Sequence, residues 1–295
     1  MPATPDLTPL AALSDSLAGL AARAAPSVVS VHSHRALSSG FAWKAQLILT
    51  ADDALGDEGD VAVTLPDGSR KQATIVGRDP TTDIALIRIE TSDVVPAALD
   101  DAVPATGALA VTIGAQAGQP VVAWGLVAVS GPAWRSMRGG DINARIELDQ
   151  ELRRHAEGGL VVGASGRAFG MAVFGPRRRV LVIPAATIAR VATQLEAHGR
   201  VARGYLGLGL QPVRLDRDGG VGAMVMSVDR EGPGAKAGIH QGDIIVSWDG
   251  GPITSLGALL RSLGPSSVGR RISLSLHRAG QVVAAEVVVA ERPEA

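Results

Sequence analysis

A mainly β fold is predicted by three features: short apolar runs rich in valine and isoleucine, turn residues between them, and no helical periodicity between Ser27 and Phe174. The runs fall at residues 28–31, 47–49, 61–65, 84–89, 109–113, 121–129 and 146–148, punctuated by turns such as Pro66-Asp67-Gly68 and Arg78-Asp79-Pro80. Runs of that length without intervening helices point to a barrel or sandwich. Ahead of them, residues 9–25 alternate Leu and Ala with Asp15, Ser16 and Arg23, so residues 1–25 read as an amphipathic N-terminal segment. Behind them, Ile183-Pro184 leads into a helix over 185–198, where Ile188, Val191, Ala192 and Leu195 recur at helical spacing and Gly199 supplies the stop. A fresh pattern begins at Arg203, with strands at 206–213, 224–228, 244–248, 272–276 and 282–289 and one helix near 256–263. A boundary at 200–203 therefore divides a β domain, 26–200, from a smaller α+β domain, 203–292.

Composition narrows the function classes. The 295 residues carry 28 basic and 29 acidic side chains and 46% hydrophobic content, which suits a globular chain long enough for two domains. Neither domain has the basic excess that phosphate contacts require, and Arg177-Arg178-Arg179 reads as a solvated turn, so nucleic acid is not expected as a partner. The chain has no cysteine, which excludes disulfides and thiolate metal sites without fixing a compartment. No segment approaches the roughly 18 apolar residues of a membrane span, and the N-terminal stretch lacks a basic leader and an uninterrupted apolar core. A cytoplasmic location is expected for the chain as given, and a periplasmic one for a processed form.

Several local runs occur in one order along the chain: Pro26-Ser27-Val28-Val29-Ser30-Val31, Leu47-Ile48-Leu49-Thr50, residues 61–68, Val76-Gly77-Arg78-Asp79-Pro80 with Thr82-Asp83-Ile84-Ala85-Leu86, Gly158-Gly159, and Ile183-Pro184 before the helix. In that order and spacing, from Pro26 to the C-terminus, the chain resembles the HtrA/Deg family, trypsin-like serine proteases followed by one PDZ domain. The resemblance implies a chymotrypsin/trypsin-like double β-barrel and then a C-terminal PDZ domain.

Carried over residue by residue, the family's catalytic positions hold acids. The family's histidine run is here Thr50-Ala51-Asp52-Asp53-Ala54-Leu55, which puts Asp53 at the general base. A carboxylate with an ordinary pKa near 4 is a poor proton acceptor for a hydroxyl. Asp83 keeps the orienting aspartate but has no imidazole to orient. The nucleophile run is His155-Ala156-Glu157-Gly158-Gly159-Leu160-Val161, so Glu157 stands at the serine position and His155 replaces the glycine that shapes the oxyanion hole. Ser130 and Ser165 fall in strand turns away from that elbow. The resemblance brings Asp53, Asp83 and Glu157 into one pocket, where three like charges need proton sharing or solvent, a partner such as Arg153 or Arg154, or a divalent cation, in that order of preference. A dyad of the aspartic-protease type needs a symmetric water-holding geometry that the sequence does not suggest. No catalytic residue, cofactor or resident metal is therefore expected.

The second domain looks intact. Arg203-Gly204-Tyr205-Leu206-Gly207-Leu208 resembles the family's carboxylate-binding loop, in which glycines let successive N–H groups face a peptide's terminal carboxylate. The strand that follows offers its edge to an extended peptide, with Leu260 and its neighbours Leu259 and Leu263 facing the groove or the core. Trp134 and Met137, in a loop that the family places near substrate entrance and subunit contacts, are candidates for an exposed partner surface. The expected function is a catalytically inactive HtrA-like pseudoprotease that acts as a binding, scaffold or chaperone-like protein through its PDZ domain. Its partners would be protein C-termini or extended peptides, and its assembly a homotrimer or a mixed oligomer with an active paralogue. The alternative is an HtrA-type serine endopeptidase with a misassigned or unconventional active site.

Overall fold

A computed structural model describes residues 7–34, 36–56, 60–90, 94–215 and 220–293, the Arg177 side chain excepted. Residues 1–6 of the predicted N-terminal segment, and that arginine of the triple-arginine turn, lie outside the described residues. The chain is mainly β and divides into two compact units: residues 1–136 with 141–200, and residues 137–140 with 201–295.

The first unit opens with helix α1 (Thr8–Ala24), which buries Leu20 and Ala24 and exposes Leu7, Leu10 and Leu13 at its start. Strands β1 (Val28–Ser33), β2 (Ala36–Lys44), β3 (Leu47–Thr50), β4 (Val61–Thr64), β5 (Arg70–Asp79) and β6 (Ile84–Ile89) close a barrel in the order β1-β2-β3-β6-β5-β4. Val29, Val31, Ile48, Val63, Leu65 and Ile87 fill it. Two of these strands have no apolar signature in the sequence. β2 runs through Ser38, Ser39 and Gly40, and six residues of β5, Arg70 to Ile75, include five that face solvent. Both are held by register, β2 to β1 and β3, and β5 to β4 and β6.

A second barrel is built from β7 (Leu109–Gln116), β8 (Gln119–Gly131), and, after a short ribbon of β9 (Trp134–Arg135) and β10 (Asp141–Ile142), from β11 (Arg145–Leu148), β12 (Leu160–Gly163), β13 (Ala168–Phe174) and β14 (Val180–Pro184). Its order is β11-β14-β13-β12-β7-β8, around Val127, Ile146, Val161, Phe169, Ala172 and Val182. Helix α2 (Ala185–His198) follows, burying Ile188, Val191, Ala192 and Leu195 and stopping at Gly199 with φ 70°. The close approach of backbone at this stop also requires glycine at Gly77, where a Cβ would come within 2.2 Å of the Gly199 carbonyl oxygen.

The second unit pairs β15 (Gly204–Tyr205) with β22 (Ala290–Glu291) and forms a sheet of β16 (Leu208–Arg214), β17 (Val221–Val228), β18 (Ile244–Trp248), β20 (Arg271–Arg278) and β21 (Gln281–Val288), with β19 (Gly251–Pro252) on β18. Helices α3 (Pro233–Lys236) and α4 (Leu256–Ser262) complete it, and the Ser255 side chain accepts from the Ala258 N–H to cap α4. Leu206, Val225, Ile245, Leu259, Leu274 and Val287 form its core.

Candidate active site and peptide-binding loop

The turn that carries Asp83 is shaped by Asp79. One oxygen of Asp79 accepts from the Thr81 N–H at 3.1 Å and from the Thr81 hydroxyl, while the other accepts from the Thr82 hydroxyl at 2.7 Å. This drives Asp83 into the left-handed region at φ 58°, a conformation that aspartate and asparagine tolerate better than most residues. Its Oδ1 then accepts the backbone N–H of Asp53 at 2.8 Å. Burial pushes the Asp83 carboxyl up to about 8, against the pull of that N–H, and the charges of Asp53, Glu157 and Asp52 push the same way.

Glu157 sits on the turn between the 3-10 segment Arg154–Ala156 and β12, and is 8% exposed. Burial raises its pKa; the Phe174 N–H, which donates to its carboxylate, opposes the rise, Asp53 adds to it, and Arg154 offsets part of it. Asp53 itself is exposed. The neighbouring Asp52 is 2% exposed and paired with Arg78, whose Nε lies 2.5 Å from Oδ1; burial raises its pKa and the Arg78 pairing holds it down. The three acids at the family's catalytic positions thus differ in environment, Asp53 open to solvent, Asp83 half-buried and Glu157 buried, while the charges of Asp53 and Glu157 both act on Asp83. Among the described residues, no group of three or more acids and histidines has the placement to hold a metal ion.

The elbow is fixed by residues that sequence reading passed over. The buried Ser39 hydroxyl donates to the His155 carbonyl at 2.6 Å and accepts the Ala115 N–H at 2.8 Å; the Ser39 N–H donates to the Glu157 carbonyl, and Thr50 donates its hydroxyl to the Ser39 carbonyl. The signal was a pair of serines ahead of Gly40 in a stretch without alternation. The N–H of Glu157 donates to the Arg154 carbonyl at 3.2 Å, so the turn is wound back on itself where an oxyanion hole would open. Ser165 lies in the turn between β12 and β13, and Ser130 near the end of β8. Gly158, at φ 80°, has no room for a side chain, since a Cβ there would stand 2.3 Å from the Ser39 carbonyl oxygen. Gly158→Ala is expected to cost more than about 2 kcal/mol by combining left-handed strain with this clash. Thermal denaturation of the variant checks it, and an unchanged midpoint would count against the geometry of the elbow.

In the second unit, the loop from Arg203 to Leu208 is held from behind. The Leu206 carbonyl accepts from Gly234 N–H, the Gly207 carbonyl from Asp229 N–H and the Arg203 carbonyl from Arg292 N–H, while the Tyr205 hydroxyl donates to Asp229 at 3.1 Å. Gly204 is packed so closely that a Cβ would meet the Ser267 hydroxyl at 2.2 Å, and Gly207 takes φ 70°. Leu208 begins β16, beside which α4 packs. Of the three leucines weighed for the groove, Leu259 belongs to the core at 2% exposure, Leu263 packs against the core half-buried, and Leu260 is exposed. Trp134 is half-buried with the Arg145 guanidinium 5.7 Å over its ring, so of the two residues weighed for a partner surface only Met137 stands out into solvent.

Two closed six-stranded barrels, followed by a smaller β-sheet unit with a glycine-bearing loop ahead of β16, define a trypsin-like peptidase fold with a PDZ domain. Family profiles agree: "Trypsin-like peptidase domain" matches residues 38–171 and "PDZ domain" residues 204–289. The chain belongs to the HtrA/Deg family. It is 30% identical over 274 residues to a protein of Pseudomonas fulva named "Probable periplasmic serine endoprotease DegP-like", covering 88% of this chain and 57% of that protein. Over 281 residues it is 30% identical to a protein of the same name from Bartonella henselae, with 89% and 55% covered. The chain spans about half the length of the curated relatives it matches. Among solved structures, the serine endoprotease from Yersinia pestis aligns with a TM-score of 0.71 at 26% identity, over 94% of this chain and 98% of the other. The HtrA-type protease AlgW with tripeptide aligns at 0.68 and 26%, over 95% and 98%. These relatives overturn the expectation of a pseudoprotease that is not an enzyme: proteins that this chain resembles bear the names of serine endoproteases.

Proposed function

We propose that the chain is an HtrA-type endopeptidase with an unconventional, carboxyl-based centre, in which residues 203–292 capture protein C-termini or extended peptides and residues 26–200 cleave them. The observation that carries this reading is that half-buried Asp83 and buried Glu157, at the positions where the named relatives' family has its orienting acid and its nucleophile, are both held toward their protonated forms, with the Glu157 charge acting on Asp83. Asp83 keeps its proton at neutral pH and serves as the acid; Glu157, when ionised, takes a proton from water as that water adds to the peptide carbonyl. Asp83 donates to the departing amine, and proton return from Glu157 resets the pair. The Glu157 N–H joins in stabilising the tetrahedral oxyanion once the turn at Arg154–Ala156 unwinds.

Casein digestion by the purified full chain tests the proposal. Cleavage is expected to be indifferent to serine-directed fluorophosphonates and to fall at least 100-fold in Glu157→Ala, and to slow several-fold on a model peptide whose C-terminus is amidated. Absence of cleavage, or cleavage that persists in Glu157→Ala, overturns it. A homotrimer or a mixed oligomer with an active paralogue fits the exposed Leu7, Leu10 and Leu13 on α1, and native mass measurement distinguishes the two. A periplasmic location is preferred to the cytoplasmic one because the relatives' names carry that word; no described helix is long and apolar enough to cross a membrane.

A further inference from the structure

We infer that the cavity beside the β9–β10 ribbon, walled by Trp134, Arg135, Asn143 and Arg190, is a carboxylate-binding site separate from the acidic centre and from the PDZ loop. The cavity encloses about 430 Å³, within the size range of small-ligand pockets. Its one acid, Asp141, is already committed, with the Arg135 Nε 2.6 Å from its Oδ1. Arg190, half-buried on α2, donates from Nη2 to the Asp141 carbonyl and has no carboxylate partner among the described residues. A half-buried guanidinium without a counter-ion, at a cavity wall, is matched by an anion that can take its remaining N–H donors in parallel.

A neutral donor stands in the same wall. The Thr187 hydroxyl accepts the Asn143 backbone N–H at 2.9 Å and gives its own proton to Asn143 Oδ1 at 2.8 Å. That fixes the amide with its NH₂ turned from Thr187. The indole N–H of Trp134, buried and without an acceptor among the described residues, lies behind the wall, where it senses the charge bound in front of it. The wall therefore offers one guanidinium without a carboxylate partner among the described residues and an amide donor beside it, which disfavours a cation. One guanidinium answers one negative charge, so a monoanionic, planar carboxylate suits the site better than a dianionic phosphate.

The indole N–H signals of the full chain, recorded by ¹⁵N-correlated NMR with the Trp134 peak assigned from Trp134→Phe, report occupancy directly. Titration with butyrate, and separately with an end-blocked peptide containing one internal glutamate, distinguishes a free carboxylate from a peptide side chain as the source. A saturable shift of the Trp134 signal with either probe is expected, weakened at least 10-fold in Arg190→Gln and several-fold in Asn143→Ala, with the wild-type pattern of the remaining indole signals showing that each variant is folded. No saturable shift with either probe, an equal or larger response to inorganic phosphate at matched ionic strength, or a shift unaltered in Asn143→Ala and Arg190→Gln would overturn the assignment.

Discussion

Raising the pH from 5 to 9 is expected to destabilise the barrel unit by about 4 kcal/mol, most of it through Asp83. The carboxyl sits at about 8 in the folded chain against an ordinary value of 3.8. Between those values the folded chain holds a proton that the unfolded chain has released, so stability falls with rising pH. The contribution is complete below the unfolded pKa and is lost as pH rises through the folded one. Glu157 and Asp52, both raised by burial, act in the same sense. His32, lowered by burial and by Arg70, loses stability only as pH falls below its ordinary value and so leaves the neutral-to-alkaline window untouched. Asp83→Asn preserves the acceptor for the Asp53 N–H and the left-handed backbone while removing the titration. Urea denaturation at pH 5, 7 and 9 should show the slope in the wild-type barrel transition and a much flatter one in Asp83→Asn. Equal slopes in the two would remove Asp83 as its source.

The second large effect belongs to the PDZ unit. Asp243, 2% exposed, accepts two hydrogen bonds at 2.7 Å from Arg278 and one at 2.8 Å from the His240 N–H. Arg278 spans from β20 to this aspartate and also donates to the Gly238 carbonyl. Arg278→Met leaves the Asp243 carboxylate without its cation and is expected to lower the melting temperature of this unit by several degrees, since a carboxylate 2% exposed that loses its charge partner is poorly solvated. Asp243→Asn added to Arg278→Met removes the stranded charge while keeping an acceptor for His240, and should recover more than half of the loss. The melting transition of residues 201–295, followed in the full chain by the signals of Trp248, reads both variants. A single variant as stable as the wild type would show that water already screens this pair.

Much of the β architecture is legible in the residues. The valine and isoleucine runs at β1, β3, β4, β6, β7 and β11 announce themselves because each buries at least one full face, and α2 is plain from its apolar spacing and the glycine that ends it. β2 and β5 are not legible, because serine hydroxyls in one and solvent-facing Arg, Lys and Gln in the other leave only backbone pairing to define them. The acids at 53, 83 and 157 could be named from the run of motifs. Their unequal environments could not, since exposure of Asp53, half-burial of Asp83 and burial of Glu157 depend on how two barrels bring distant turns together.

The amino-acid order by itself determined the mainly β class, because apolar periodicity is local, and, through its resemblance to the HtrA/Deg family, the succession of a trypsin-like and a PDZ domain and which side chains stand at the family's catalytic positions. The raised pKa of Asp83, the clamp of Ser39 on residues 115 to 157, the pairing of Asp52 with Arg78 and the position of Arg190 without a carboxylate partner among the described residues were decided only by the tertiary structure. Each depends on burial and on groups 26 to 116 residues apart in the chain for the named pairs Asp52–Arg78 and Ser39–His155, and solvation at such distances is a property of packing alone.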